Sequence, residues 1–193
     1  MSNKFYLILI AMVALGLGIF YLIQIGFYPV AVVNYRFLGA KDWNEAVVSA
    51  HHYPTKTEEA YASESFGGGE KNLLLKELRR ATLDKLIVNA LISKELEKRV
   101  GGELGGLVQN KIRDTRVNTP DFEKAVAELY GLTFEQFKNL VLIPQAEEEI
   151  LTDRVKAEQQ TDFSEWLTVE RRAASVIILA PDLRWDGERV VSK

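Results

Sequence analysis

The segment LLLKELRRATLDKLIVNALISKELEKRV, residues Leu73–Val100, is the part around which the rest of this chain is organised. On a helical wheel its apolar side chains cover more than half of the circumference, and a helix that apolar has to be packed against on most sides. Polar residues of the same stretch, such as Asp84 and Asn89, are predicted to face solvent. The apolar stripe consists of Leu75, Leu78, Leu83, Leu86, Ile87, Ala90 and Leu91, widened by Val88, Ile92 and Leu96. We therefore predict a central helix that the rest of a small helical domain surrounds.

Length and charge limit the classes of function. A chain of 193 residues has room for one domain with a substantial core plus an appendage. Its net charge of -3 lacks the basic excess of a nucleic-acid-binding surface, so nucleic acid is not an expected partner. There is no cysteine, which excludes disulfides, thiolate metal sites and a cysteine nucleophile.

The N-terminal segment FYLILIAMVALGLGIFYLIQIGFY, Phe5–Tyr28, contains no charged residue. As a helix it would be roughly 36 Å long, enough to cross a hydrocarbon core of about 30 Å. Bulky side chains stand where a signal peptidase needs small ones, which favours an uncleaved signal anchor over residues 1–29. Lys4 before the span places the N-terminus in the cytoplasm. The sequence thus predicts a single-pass protein of the cell membrane, in contact with the lipid bilayer through residues 5–28 and with an extracytoplasmic domain.

Residues 30–173 are predicted to form a helical domain. The run VAVVN, Val30–Asn34, reads as a strand, and a helix beginning near Asp42 is expected to break at Pro54. Further along, two short helices are predicted to form a hairpin around Gly131, the first starting at Thr119-Pro120-Asp121. The second starts at a capping box of Thr133 and Gln136 and is expected to kink or split at Pro144.

Residues 174–193 are predicted to form a β tail. The apolar run SVIILA, Ser175–Ala180, is followed by a turn at Trp185–Glu188 that brings the chain back at Val190 and Val191. The expected partners of SVIILA are that returning strand and VAVVN. The predicted fold class is therefore mainly α: a transmembrane helix, a helical bundle, and a minor β element formed by the first and last strands of the domain.

Residues with catalytic or metal-binding chemistry do not form a recognisable pattern. His51 and His52 are adjacent and point about 100° apart on a helix, so they do not readily share one metal. The run Glu147–Glu149 also fans out around a helix, and a solvated face is the preferred interpretation over a cation site. No GxSxG, HExxH, P-loop or GxGxxG motif occurs. We expect no catalytic residue, no cofactor and no metal.

Three segments together resemble the N-terminal chaperone domain of SurA- and PrsA-type extracytoplasmic foldases. They are VAVVN with the helix near Asp42, LRRATLDKLIVNALISKELEKRVG at Leu78–Gly101, and FEKAVAELYGLTFEQFKNLV at Phe122–Val141. Tyr35 departs from the family, which usually has glycine there, and Gly101–Gly106 is richer in glycine than the family pattern. We do not expect a parvulin prolyl isomerase domain like that of these foldases, because the 20 residues 174–193 are too few for such a domain. The resemblance implies binding of unfolded or exported polypeptides in an apolar helical cleft, without catalysis.

Two functions remain open at this stage. The first is a chaperone-like protein whose cleft binds exported polypeptides, and the second is a structural or adaptor subunit of a larger membrane assembly. For each cleft residue taken singly, plain core packing is the alternative role. A homo-oligomer, a swapped C-terminal tail and a separate isomerase partner are also left open. The candidate peptide-binding residues are Leu86, Ile87, Phe122, Phe134, Phe137 and Trp166.

Overall fold

The structure is a computed structural model that describes residues 6, 9–10, 12–14, 16–17, 26, 28–61, 68–114, 120–159 and 162–193. Helices predominate, and short strands lie within residues 29–39 and 176–192. The order is β1 (Pro29–Val33), β2 (Arg36–Gly39), α1 (Ala40–Tyr61), α2 (Gly68–Val100), a 3-10 turn (Gly101–Glu103), α3 (Leu104–Asp114), α4 (Pro120–Tyr130), α5 (Phe134–Phe137), a π-helical segment (Lys138–Leu142), α6 (Ile143–Gln159), α7 (Phe163–Ala173), β3 (Val176–Ile178), β4 (Leu183–Trp185) and β5 (Val190–Ser192).

The first sheet has three antiparallel strands in the order β2-β1-β3. Asn34 and Tyr35, at φ 47° and 70°, form the two-residue turn between β1 and β2, since both central residues of such a turn need positive φ. On its other side β1 pairs with β3, with Ala31 opposite Ile178. The expected pairing of VAVVN with SVIILA is therefore present.

The last two strands form a separate hairpin. Trp185 pairs with Val190 across the turn, and Asp186 Oδ1 accepts the backbone N–H groups of Glu188 at 2.9 Å and Arg189 at 2.8 Å. The expected pairing of the returning strand with SVIILA is wrong, because β5 pairs with β4 instead. The small β element thus consists of two sheets.

Helix α2 is the central element and is buried on two faces. Its residues Leu83, Ile87 and Leu91 pack against both sheets and α1 in one core. Its residues Val88, Ile92 and Leu96 pack against α3, α6 and α7 in a second core. A third, smaller core lies between α4 and α5 and the π-helical segment. The start of α2 is different, since Leu73 to Leu75 are exposed and do not extend the buried stripe as expected for Leu75.

The predicted membrane anchor has to be corrected. Within the described part of the chain, no helix combines the length and the apolarity needed to cross a bilayer. The long helix α2 carries charged side chains along its whole length, whereas a span needs about 20 mostly apolar residues. Much of the predicted span at residues 5–28 lies outside the described residues. The transmembrane helix, the signal anchor, and the cell-membrane and extracytoplasmic assignments drawn from them are not supported, and the fold class is corrected to mainly helical with small antiparallel sheets.

The prolines at positions 54 and 144 differ in their effect on the surrounding helix. Helix α1 continues through Pro54 to Tyr61 instead of breaking. Before Pro144, the backbone N–H of Ile143 bonds to the carbonyl of Lys138, five residues earlier. Since proline has no N–H to donate, a local change to π-helical spacing lets the chain run into α6 without a break.

The helical hairpin was predicted closely. Gly131 has φ +66° at the end of α4, and Thr133 and Gln136 form the capping box of α5, with the Thr133 N–H donating to Gln136 Oε1 at 2.9 Å. The proposed start at Thr119 lies outside the described residues, and α4 is described from Pro120 onward.

Candidate functional site

A cleft of about 620 Å³ opens between β2 and the start of α1 on one side and the α5–α6 region on the other. Helix α2 forms its floor. The π-helical segment lies in the far wall, so the local change of helical spacing next to Pro144 shapes this surface. The lining residues are Arg36, Phe37, Leu38, Lys41, Asp42, Glu45, Leu86, Asn89, Ala90, Ser93, Glu135, Gln136, Asn139, Leu140, Ile143, Pro144 and Glu147.

Strand β2 brings an open sheet edge to this cleft. Among the described strands, β2 pairs only with β1, so its outer edge has no strand beside it. Val33 and Arg36 flank the two-residue turn and are opposite each other. In residues at that position, the N–H of each donates to the C=O of the other. The next residue, Phe37, then points its N–H and C=O away from β1. Its side chain is 73% exposed.

The floor of the cleft combines apolar and polar groups from one face of α2. Leu86, Ala90 and Ser93 follow one another at helical spacing and are half-buried. Asn89 lies on the same face, and its Oδ1 is buried without a hydrogen-bond partner among the described residues. An unpaired buried acceptor costs free energy, which a donor entering the cleft would recover.

Glu147 of α6 is the buried acid of the cleft. Only 8% of the residue is exposed, and Oε1 accepts a long hydrogen bond of 3.4 Å from Ser93 Oγ. Burial raises the pKa of the Glu147 carboxyl above its usual value, because the ionised form loses hydration that one weak hydrogen bond does not replace.

The basic residue nearest to this acid is engaged elsewhere. Arg36 forms an ion pair with Glu97 of α2, and that hydrogen bond lowers the pKa of the Glu97 carboxyl. Arg36 is close enough to Glu147 to lower its pKa, but this effect is smaller than that of burial. The carboxyl of Glu147 therefore has no ion pair of its own among the described residues.

The predicted site residues do not meet at one place. Leu86 lines the cleft, whereas the neighbouring Ile87 is fully buried in the core between the sheets and α2. Trp166 is buried in the second core, where its ring stacks on Phe163 with 5.5 Å between centroids. These two side chains pack the interior, which was the alternative role for each residue.

The three predicted phenylalanines form an aromatic cluster beside the cleft wall. Phe122 contacts Phe134 and Phe137 edge to face, with ring centroids 6.3 Å and 5.9 Å apart. Phe137 is buried, and all three belong to the hairpin of α4 and α5. This cluster supports the wall from behind, since none of the three lines the cleft.

The polar groups of the cleft were missed in the sequence. Asn89 was assigned to a solvent-facing stripe and Glu147 to a solvated acidic run, but both reach the cleft floor. Of the acidic run, Glu148 and Glu149 do face solvent and pair with Lys85 at 2.8 Å and Lys111 at 3.0 Å. The sequence contains one weak indication that Glu147 is buried, because the nearby Ala146 and Ile150 are on the apolar side of α6.

Metal binding finds no support in the geometry. Within the described residues, no group of three or more histidine, aspartate or glutamate side chains is arranged to hold an ion. Nε2 of His52 lies 3.1 Å from the carbonyl oxygen of Glu128, and this contact connects α1 to α4. The arrangement of the cleft is suited to noncovalent binding through hydrogen bonds and apolar contact.

Comparisons of the chain with models of protein families, with curated proteins and with solved structures give no match. The likeness to the SurA- and PrsA-type chaperone domain consequently rests on the sequence patterns alone.

Proposed function

We propose that this protein binds extended polypeptide segments noncovalently in the cleft above α2. The observation that carries the proposal is the open edge of β2, where the N–H and C=O of Phe37 face outward beside the cleft. An extended chain laid along such an edge gains backbone hydrogen bonds without regard to its sequence, and its alternate side chains enter the neighbouring pocket.

The walls of the cleft supply apolar contact for those side chains. Leu38, Leu86 and Leu140 come from β2, α2 and the π-helical segment and line the same space. Burial of apolar area here adds about 25 cal/mol per Å² to the binding free energy before the cost of ordering the chain. The resemblance to SurA- and PrsA-type chaperone domains points to the same class of ligand, unfolded polypeptide.

Peptide binding to the full chain tests the proposal. A fluorescein-labelled extended apolar peptide is titrated with the unmodified protein and with the variants Phe37→Pro and Phe37→Ala. Proline removes the outward N–H without touching the bonds to β1, whereas alanine keeps that N–H and removes the ring. We expect Phe37→Pro to weaken binding about fivefold and Phe37→Ala to weaken it less, as one lost backbone bond is worth about 1 kcal/mol.

The same variants provide the control for folding. Phe37 is exposed and its N–H is not part of the β1 ladder, so Phe37→Ala should unfold within about 0.5 kcal/mol of the unmodified protein. Phe37→Pro should cost about 1 kcal/mol, because its ring fixes φ, and it is used in the peptide titration under conditions where unfolding curves show it to be folded. Absence of peptide binding by the unmodified chain, together with failure to suppress aggregation of a reduced model substrate, would contradict the proposal.

A structural or adaptor role is the second candidate, and one observation favours it. Phe37, Val32 and Ile177 are directly opposite one another on the three strands and therefore share one face of the sheet. Phe37 and Ile177 are exposed there, and a folded partner could cover this apolar row. Capture experiments with the full chain distinguish the two roles, because one stoichiometric partner indicates an adaptor and many unfolded chains indicate polypeptide binding.

A further inference from the structure

The floor of the cleft presents two hydrogen-bond acceptors that the described residues leave poorly satisfied. Asn89 Oδ1 is buried and has no hydrogen-bond partner among them. Glu147 is 92% buried, as its exposed fraction is 8%, and its hydrogen bond from Ser93 is long at 3.4 Å. Asn89 and Ser93 are one helical turn apart, so both acceptors face the same part of the cleft. A ligand that brings donors would satisfy both groups.

The charges around the cleft favour a cation over a neutral donor. Asp42 and Glu45 of α1 line the walls, as does Glu135 of α5, which lies 3.9 Å from Lys138; Lys41 and Arg36 are the basic residues of the same walls. Arg36 is already paired with Glu97. A basic side chain arriving next to Glu147 would therefore enter a region of negative potential and would replace the hydration that the carboxylate has lost.

The walls also suit the long stem of a basic side chain. Leu86, Ala90 and Leu140 line the path into the cleft, and the methylene groups of lysine and arginine pack well on such apolar surfaces while their charged ends reach a polar site. The ammonium of lysine has three donors and the guanidinium of arginine has five, enough to serve Glu147 and Asn89 together.

We infer that the cleft selects extended polypeptide segments that place a lysine or arginine side chain on Glu147 and Asn89, between apolar residues that contact the walls. This inference rests on the proposed function and adds the chemical class of the preferred ligand. It assigns Glu147 and Asn89 as specificity-determining residues, whereas the open edge of β2 contributes the affinity that does not depend on sequence.

A peptide series on the full chain separates the two claims. Three fluorescein-labelled peptides are identical except for a central lysine, norleucine or glutamate. Norleucine keeps the apolar stem and lacks the charge. We expect the unmodified protein to bind the lysine peptide about tenfold more tightly than the norleucine peptide, because one well-placed, partly buried charge pair contributes a difference of this size. The glutamate peptide should bind more weakly than both.

Variants of two neighbouring glutamates then locate the preference. Glu147→Gln should reduce the difference between the affinities for the lysine and norleucine peptides to about twofold or less. Glu149→Gln is the matched control: this residue is on the same helix but faces away and pairs with Lys111, so the preference should persist.

Each outcome has a distinct meaning. Equal affinity for the lysine and norleucine peptides on the unmodified chain overturns the selectivity and leaves polypeptide binding standing. A preference that survives in a folded Glu147→Gln protein overturns the assignment to Glu147. If none of the peptides binds, the proposed function fails, and the inference fails with it. The first comparison needs no variant and so does not depend on whether Glu147→Gln folds.

Discussion

The guanidinium of Arg171 holds the carboxylate of Asp84, with Nη2 3.0 Å from Oδ2 and Nη1 3.4 Å from Oδ1. Asp84 Oδ1 also accepts the backbone N–H of Val190 at 2.9 Å, and Arg171 Nη1 donates to the carbonyl of Glu188 at 2.8 Å. The central helix α2, helix α7 and the last strand β5 are thus joined at one partly buried ion pair. This junction fixes the C-terminal hairpin on the surface of α2.

Removing Asp84 should destabilise the fold more than a surface ion pair would. We expect Asp84→Ala to lower the free energy of unfolding by about 2 kcal/mol, because Arg171 and the Val190 N–H both lose their acceptor. Asp84→Asn keeps one oxygen for Val190 and should cost about 1 kcal/mol. Urea unfolding measures both, with the exposed Asp153→Ala as control. A loss of less than about 0.5 kcal/mol in Asp84→Ala would show that the junction is not structural.

The stability of the protein should depend on the protonation of Glu147. Its folded-state pKa is raised by burial, so the protonated carboxyl stabilises the fold below the unfolded pKa, and this stability is lost as pH rises through the folded pKa. Glu147→Gln cannot ionise. We expect it to be more stable than the unmodified protein at pH values above the folded pKa of Glu147, with the difference disappearing as pH falls below the unfolded pKa. Chemical unfolding at a series of pH values tests this.

Glu149→Gln should behave in the opposite way. The hydrogen bond from Lys111 lowers the pKa of Glu149, so its ionised form stabilises the fold above the unfolded pKa, and this stability is lost as pH falls through the folded pKa. The variant should be slightly less stable than the unmodified protein at neutral pH, with the difference disappearing in acid. The same sign of effect at Glu147 and Glu149 would contradict the placement of Glu147 in the cleft floor.

Gly131 is predicted to resist substitution. Its φ of +66° is unfavourable for any residue with a side chain, and an added Cβ would lie 3.3 Å from Cγ of His52. Gly131→Ala should therefore cost about 1 to 2 kcal/mol. Gly102→Ala is the matched control, since no atom lies within 4 Å of its added Cβ. Thermal unfolding that shows equal stability for the two variants would mean that the hairpin turn does not need its glycine.

Trp43 connects α1 to α2 by two interactions that can be separated. Its Nε1–H donates to the carbonyl of Arg79 at 3.0 Å, and the Arg79 guanidinium lies 4.2 Å from the ring centroid. Trp43→Phe removes the indole donor and part of a buried side chain, although Thr82 Oγ1 still donates to the carbonyl at 3.2 Å, and should cost about 2 kcal/mol. Arg79→Gln keeps that carbonyl bonded and should cost about 0.5 to 1 kcal/mol. Urea unfolding with the reverse order would indicate that the cation–π contact dominates.

Much of the local structure followed from the sequence because local chemistry determines it. The capping box of Thr133 and Gln136 and the left-handed turn at Gly131 involve residues close together in the chain. The pairing of β1 with β3 followed from two apolar, β-branched runs in a chain with few others. In each case a short pattern has one favourable geometry.

The cleft did not follow from the sequence, because its polar residues depend on tertiary packing. Asn89 and Glu147 each occupy a helical position that the sequence indicates as solvent-facing, and tertiary packing buries them. The same holds for Asp84 outside the cleft, where Arg171 is its long-range partner. The apolar residues chosen as binding candidates mostly entered the cores, since apolarity alone does not separate a cleft from an interior. The membrane assignment was drawn from apolarity as well, and the described helices do not support it.

Hydrogen exchange at the backbone amide of Phe37, with and without bound peptide, shows whether an extended polypeptide occupies the open edge of β2. The amide of Arg36 is bonded within the hairpin and serves as the internal reference. If an extended polypeptide lies along the edge of β2, exchange at Phe37 should slow by about tenfold or more at saturating peptide while Arg36 changes little. A protein that binds the peptide with unchanged exchange at Phe37 would contradict the account.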